Sequence, residues 1–459
     1  MSKKALSELK KKIDGQVLAP GNPEYEEAHT IWNARINRHP ALIIQAVNTS
    51  DIVETIKYAR EHNALLSIKA GGHNHVGFAV CEGGIMLDLS KMKGAELDPA
   101  KKSIKIQPGH TFADFDQETH KAGLASTGAI ISMVGVPGYT LGGGIGWLHR
   151  RAGLGCDNLV SAEVVIADGE LVLASEKENS DLYWALRGGG GNFGVVSSFE
   201  FKLHPVKNVL AGLIFHPLED LPEVASFTRD FVEKAPDELC VWMFLRRAPA
   251  SPLLPESLHG QHVVIIAACY SGSLSKGEEV LMPLRKFRKP IVDLIERRPY
   301  TDWQKALDPA WGNGFHNEWM GHYIQELDDP TIDTLLHYVS RVTSPYTDVK
   351  LAHLEGAVQR VGENDTSFSY RNSKYAMVIQ TRWQDPSETE KHLKWTHNFF
   401  NSMKSHGTGK VYVNFIADEG EKRVRDAYNP TTFKRLQDIK AKYDPGNMFR
   451  MNQNIKPAF

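Results

Sequence analysis

Apolar residues recur at helical spacing in residues 49–62, TSDIVETIKYAREH, where Ile52, Val53, Ile56 and Ala59 share one face behind a capping Ser50 or Asp51, so the pattern predicts a helix. The run LLSIK after it predicts a strand that runs into a glycine-rich turn. In GGIMLDLS (83–90) Ile85, Leu87 and Leu89 alternate with other residues, and in SIKIQ (103–107) Ile104 and Ile106 flank Lys105; both read as half-buried strands. TFADFDQETHKAGL predicts a second helix carrying Phe112, Phe115 and Leu124 on its apolar side, SDLYWALR a third, and LVSAEVVIADGELVLAS a hairpin turning at Asp168-Gly169.

After the strand VVSSFEFKL (195–203), Pro205 interrupts the pattern and the glycine clusters stop, so a boundary is placed near 205. From there to about 415, strand-like LCVWMFL, QHVVIIAACY, YAMVIQTRW and KVYVNFI alternate with helical DPTIDTLLHYVSRV and SETEKHLKWTHNFFNSM, the pattern of an antiparallel sheet covered on one face by helices. The end, TTFKRLQDIKAKYDPGNMFRMNQNIKP (431–457), reads as a helix followed by a polar tail. There are no internal repeats.

The 459 residues suggest more than one domain, since a domain averages about 100–200 residues. Hydrophobic residues at 42% and charged residues at 24% exclude a largely disordered chain, and a net charge of −2 argues against nucleic acid as a partner. MSKKALSELKKKIDG lacks the apolar stretch of a secretory signal, and no apolar run approaches the roughly 20 residues of a membrane span. Cys81, Cys156, Cys240 and Cys269 are widely spaced, which suits a reducing cytoplasm and offers no structural zinc site.

Three segments concentrate glycine: GGHNHVG (71–77), GVPGYTLGGGIG (135–146) and RGGGGNFG (187–194). Glycine lets backbone N–H groups converge on phosphate and lets a ligand approach the main chain, so several such loops suit a dinucleotide. Gly189, Gly191 and Gly194 match GxGxxG, but a helix precedes the match and a strand follows it, the reverse of a Rossmann fingerprint. His73 and His75 have no further ligands nearby to make a metal site. They read either as satisfied loop residues or as functional ones, and a neutral imidazole in a cofactor-cradling loop is nucleophilic enough to bond the cofactor covalently.

KAGGHNHVG followed by GGIMLDLSKM, then GVPGYTLGGGIGWLHRRAGLGCDNLVSAEVVIADG, DLYWALRGGGGNFGVVSSFEFKLHP and YDPGNMFRMNQNI together resemble the berberine-bridge-enzyme-like branch of FAD-linked oxidases, of the vanillyl-alcohol-oxidase type. The resemblance covers about residues 30–205 and 440–455 closely and the middle loosely. It implies an α+β fold: a two-subdomain FAD-binding domain over 1–205, a substrate domain with an antiparallel sheet covered by helices over 206–415, and a segment, 416–459, returning to the flavin. Carried onto this chain, the loop Lys69, Ala70, Gly71, Gly72, His73, Asn74, His75 and Gly77, with Phe78 beyond it, would cradle the FAD pyrophosphate, and His73 would bear the flavin covalently, leaving the His75 side chain an ordinary loop residue. A second, cysteinyl attachment is not implied, because Ile131 stands at its position. Ser132, Val136, Pro137, Gly138, Gly142, Gly143, Gly146, Trp147, Asp157, Asn158 and Val196 fall in stretches that line FAD in the family, with Tyr412 and Asn414 on one face of KVYVNFI, and Asn452 and Asn454, approaching from the other side.

The family resemblance implies a small-molecule substrate losing hydride from a carbon that bears an alcohol or amine, with O2 reduced to H2O2. Val134, if it lies beside the flavin's oxygen-reactive edge, favours oxidase over dehydrogenase; a dehydrogenase using another acceptor and a flavin-binding protein without turnover are the alternatives. The family's catalytic base is not evident where it is sought, in LEGAVQRVGENDTSFSYR, and Glu355, Tyr412 and His316 are the candidates. Trp311, Phe315, Trp319, Tyr370 and Tyr375 are candidate walls of an aromatic pocket or, equally, core residues.

Overall fold

The structure, a computed structural model, describes residues 3–458. Its first sheet orders the strands Gln16–Leu18, Leu42–Gln45, Ile85–Asp88 and Leu66–Lys69, with the last three parallel. The helix Thr49–Glu61 makes the crossover, as a parallel pair requires. Its cap is Asn48, whose side chain accepts the Asp51 amide at 3.0 Å; Ser50 lies inside the helix, and the Asp51 carboxylate instead accepts the amides of Asp14, Gly15 and Val47. The Ile85–Asp88 strand is buried throughout rather than half-buried. It lies between two strands, Leu87 packs with Ile44 and Ile56 on one side, and Met86 packs with Ile43 and Tyr25 on the other.

The second sheet is antiparallel and five-stranded: Ala95–Asp98, Ser103–Ile106, Val195–Lys202, Leu159–Val165 and Leu171–Ser175 in spatial order. Gly169 takes the positive φ of the hairpin turn, +89°. The helix Phe112–His120 is closed by a Thr111–Asp114 capping box and ends before Gly123, whose φ is +68°. Leu124 therefore leaves the helix and pairs as a strand with Pro205.

The third sheet has eight strands and is antiparallel. Four of its strands, Leu239–Arg247, Asp348–His353, Tyr375–Trp383 and, at the edge, His316–Ile324, are neighbours in that order. Alternate positions on one face, Met243, Leu245, Val349, Leu351, Met377 and Ile379, pack under Leu221, Leu281, Leu335 and Phe399 of the helices Leu221–Val232, Leu274–Lys286, Asp329–Val339 and Thr389–Met403. Burying each such side chain contributes about 1.5–3 kcal/mol. Register puts the intervening residues on the opposite face: Arg246 stands opposite Asp348, Phe244 opposite Lys350, Asp348 opposite Gln380, and Gln380 opposite Trp319. That face turns toward the glycine loops.

KVYVNFI is not a strand. Val413–Phe415 form a single 3-10 turn, because Tyr412 and Asn414 bond to residues 138–144 and not to a neighbouring strand. The helix Pro430–Tyr443 and the tail beyond it lie against the third glycine segment, with Lys440 donating to the Asn192 carbonyl and Asn452 to that of Gly191.

Candidate active site

Five parts of the chain line one cavity. The loop after Leu66–Lys69 contributes Ala70, Gly71, Gly72, His73, Asn74, His75 and Phe78. It lies against the 129–141 segment only because both are bare at the crossing: a Cβ on Gly71 would stand 2.5 Å from the Gly135 nitrogen. Ile131, Val134, Pro137, Gly138 and Tyr139 face the cavity from that segment, and Gly189, Gly190, Gly191, Asn192, Gly194 and Val196 from the third glycine segment. At Gly138 and Gly191 a Cβ would meet no atom within 4 Å, so a side chain there would occupy the cavity. The sheet face supplies Trp242, Trp319, Lys350, Val378 and Gln380, and the C-terminal part Tyr412, Asn414, Phe449 and Asn452.

His73 stacks on Trp32 with ring centroids 5.1 Å apart, and Arg382 lies 5.5 Å from the same tryptophan. Burial, then the Arg382 guanidinium, lower the His73 pKa to about 4. His75 stacks on Trp319 at 4.9 Å, and burial, then Arg35, lower its pKa to about 3. Both imidazoles are therefore neutral near pH 7, the nucleophilic form. His75 is a buried wall of the cavity and not an incidental loop residue.

The Tyr412 oxygen accepts the Gly144 amide and the Asn414 side-chain N–H, each at 2.8 Å. Burial raises its pKa, so the phenol keeps its proton, and with two donors on the oxygen that proton is directed elsewhere. Lys350 is buried, donates to Gln380 Oε1 at 2.7 Å and stands 3.7 Å above the Trp311 ring. Asp348, 3.6 Å away, shares its carboxylate with Arg246 at 3.2 Å. Burial is the largest influence on the lysine and brings its pKa down to about 7 against the opposing pull of Asp348.

Several candidate residues lie outside the cavity wall. Glu355 bonds His353 at 2.8 Å, whose other nitrogen faces Arg150, so its carboxylate is engaged behind the site. His316 lies half-buried at the start of its strand against Trp383. Lys69 donates to the Ala28 carbonyl, and Ser132 is held by Asp308. Val136 is core, and Trp147 is buried beside Trp303 and Trp242. Asp157 makes a bidentate pair with Arg371, and Asn158 bonds the Ala152 and Leu154 carbonyls; both stiffen the turn behind Gly143 and Gly144. Gly77, Gly142, Gly143 and Gly146 serve close packing: a Cβ would come within 2.6 Å of Ile36, 2.3 Å of Asn414, 2.5 Å of Phe368 and 1.7 Å of the Gly128 oxygen respectively. Asn454 lies in a separate hollow with Glu421, Arg425 and Lys456. Of the aromatic candidates, Trp319 lines the cavity and Trp311 backs Lys350, whereas Tyr375 belongs to the helix-covered face.

Sequence reasoning missed Lys350, Gln380 and Trp242 as cavity walls, whereas the third glycine segment it singled out does line the cavity. The available signal was polar residues at every second position of otherwise apolar strands, in DVKLAH and YAMVIQTRW.

Tyr139 OH, Trp242 Nε1, Trp319 Nε1 and Asn452 Oδ1 are buried in this wall without a partner among the described residues. Unmet polar atoms, glycines that leave the backbone bare and flanking aromatic rings fit a flavin dinucleotide. Among the described residues no three His, Cys, Asp or Glu side chains are grouped to hold a metal, and no helix is long and apolar enough to cross a membrane.

An FAD-binding domain model matches residues 40–175, and a berberine and berberine-like model matches residues 411–456. An FAD-linked oxidoreductase of Dictyostelium discoideum is 31% identical over 98% of this chain and 97% of its own. The (R)-6-hydroxynicotine oxidase of Paenarthrobacter nicotinovorans is 27% identical over 97% of each chain. The crystal structure of 6-hydroxy-D-nicotine oxidase from Arthrobacter nicotinovorans superimposes with a TM-score of 0.86 at 25% identity, covering 97% of this chain and 98% of that one. The chain belongs to the berberine-bridge-enzyme-like family, and it is an FAD-linked oxidoreductase with that family's mixed α+β fold.

Proposed function

We propose that the protein is an oxidase: it removes hydride from a carbon bearing an alcohol or amine in a small molecule and passes the electrons to O2, releasing H2O2. The observation that carries this reading is the single cavity in which the glycine loops meet a polar sheet face, so that cofactor and substrate share one enclosure. Bound FAD supplies the hydride acceptor and the route of electrons to oxygen. Residues 1–205 are assigned to FAD binding, 206–415 to the substrate and 416–459 to closing the flavin side. Kinship with proteins named as oxidases, and Val134 in the cavity wall, support oxygen as acceptor.

His73 is the proposed covalent anchor, through a ring nitrogen that burial leaves unprotonated. Ile131 lines the cavity where a cysteine would be needed for a second link, so one link is proposed. Of the three candidate catalytic residues, Tyr412 alone faces the cavity. With two N–H groups on its oxygen, its hydroxyl is free to hold the substrate's oxygen or nitrogen and orient the C–H to be broken. The aromatic walls Trp242 and Trp319 exclude water around that bond. A cytoplasmic setting suits four free, buried cysteines, of which Cys240 and Cys269 face each other across paired strands without bridging.

The test is a screen of alcohols, amines and sugars with two readouts, loss of the flavin's visible absorption without air and peroxide release in air. Bleaching with matching peroxide supports the oxidase. Bleaching that only an artificial acceptor reverses would show a dehydrogenase.

A further inference from the structure

The floor of the cavity carries an unbalanced charge. Lys350, Arg246 and Arg382 project from three adjoining strands onto one face, and Asp348 is the carboxylate among them. Asp348 is already shared between Arg246 and Lys350, and its Oδ1 has no partner among the described residues. Arg382 makes no ion pair among the described residues; it is spent on the Ala310 and Gly312 carbonyls and Asn317, and lies over Trp311, 4.6 Å from the ring. Trp311 thus has two cations against its ring, with Lys350 the nearer at 3.7 Å.

Of these groups only Lys350 lines the cavity. An ammonium has three hydrogens, and one is committed, to Gln380 Oε1; the Gln380 side chain also lines the cavity and keeps its amide N–H donors. Burying a cation without a matched anion is costly, and a neighbourhood with more cations than anions adds to the cost. An anionic ligand bringing its own charge into the cavity would meet the deficit. Trp242 and Trp319, flanking the lysine, offer flat apolar walls to the rest of such a molecule.

We propose that the substrate is a carboxylate-bearing small molecule whose carboxylate is received by Lys350 and Gln380 at the sheet end of the cavity. This rests on the oxidoreductase reading of the same cavity and narrows its substrate class. The contact is an ion pair with a second hydrogen bond from the Gln380 amide; it positions the substrate's other end toward the glycine loops and Tyr412. Charge-assisted bonds of this kind, in an enclosed site, discriminate strongly against a neutral isostere.

The test uses the full-length FAD-loaded protein and three acid–amide pairs as probes: acetate and acetamide, benzoate and benzamide, indole-3-acetate and indole-3-acetamide. Binding is read from the flavin spectrum and from tryptophan fluorescence, neither of which requires turnover. At about pH 6 at least one acid binds about ten-fold or more tightly than its amide, the difference expected of a charge-assisted bond. The preference declines toward about pH 8 as Lys350, with Asp348, Arg246 and Arg382 around it, loses its proton. Lys350→Met abolishes the preference and Lys350→Arg keeps it. If every amide binds as well as its acid, or no acid binds, or Lys350→Met still prefers acids, the proposal is overturned; the wild-type pH dependence stands as a measurement should Lys350→Met not fold. Failure of the oxidase reading shows separately, as a retained acid preference in a protein whose flavin no substrate bleaches.

Discussion

Lys440 and Asp444 form a 2.6 Å ion pair one turn apart on the C-terminal helix, with neither side chain exposed. The lysine's other bonds go to the carbonyls of Asn192 and Phe449, and Asp444 accepts the amides of Met448 and Phe449. Asn192 and Phe449 both line the cavity, so the pair joins the third glycine segment to the tail. Lys440→Met leaves a buried carboxylate uncompensated and costs about 3–5 kcal/mol. Denaturant unfolding measures it; a loss of under about 1 kcal/mol would contradict this role.

Tyr412→Phe removes the acceptor of the Gly144 amide and of Asn414. A stranded buried amide costs about 1–3 kcal/mol of stability. If Tyr412 also orients the substrate, kcat falls about a hundred-fold while FAD stays bound. Steady-state kinetics on any substrate found by the peroxide screen settles it; unchanged kcat assigns the hydroxyl to structure alone.

Gly191→Leu fills space that no protein atom occupies. The variant keeps the wild-type melting temperature of the apoprotein and loses FAD, read as the ratio of visible to ultraviolet absorption. Full flavin occupancy would show that this part of the cavity is not used by the cofactor.

Asp116 gives a pH signature. It is buried beside Gln304, which donates to one oxygen at 2.9 Å, while the other has no partner among the described residues, and burial raises its pKa from 3.8 to about 7. A folded-state pKa above the unfolded one means that the native state binds the extra proton between those values. Stability therefore falls as pH rises from about 4 to about 7, by up to about 1.4 kcal/mol per unit, and is level above that. Asp116→Asn removes this component. Denaturation midpoints across the range test it, and equal slopes in both proteins would rule Asp116 out as the source.

The parts of the site legible in the sequence are those in which the backbone itself is the chemistry. Gly71, Gly138 and their neighbours announce bare main chain, and His73 stands out in that setting. Tyr412 and Asn414 were paired on the wrong grounds: their segment is a turn, not a strand, and what unites them is a hydrogen bond to each other at 2.8 Å. Lys350 and Gln380 were not legible, because a lysine in a strand reads as solvent-facing until register sets it opposite Val378 and beneath Trp311. The Asn48 cap and the burial of Met86 depended likewise on neighbours distant in sequence.

The central claim is that FAD occupies this cavity with His73 as its anchor. It is tested most directly by the mass of the denatured, purified protein together with the colour of its acid precipitate. The account predicts a chain heavier by one FAD and a yellow precipitate for the wild type, with His73→Ala at the mass of the polypeptide and colourless after precipitation. A wild-type chain at the bare polypeptide mass with a colourless precipitate would contradict it.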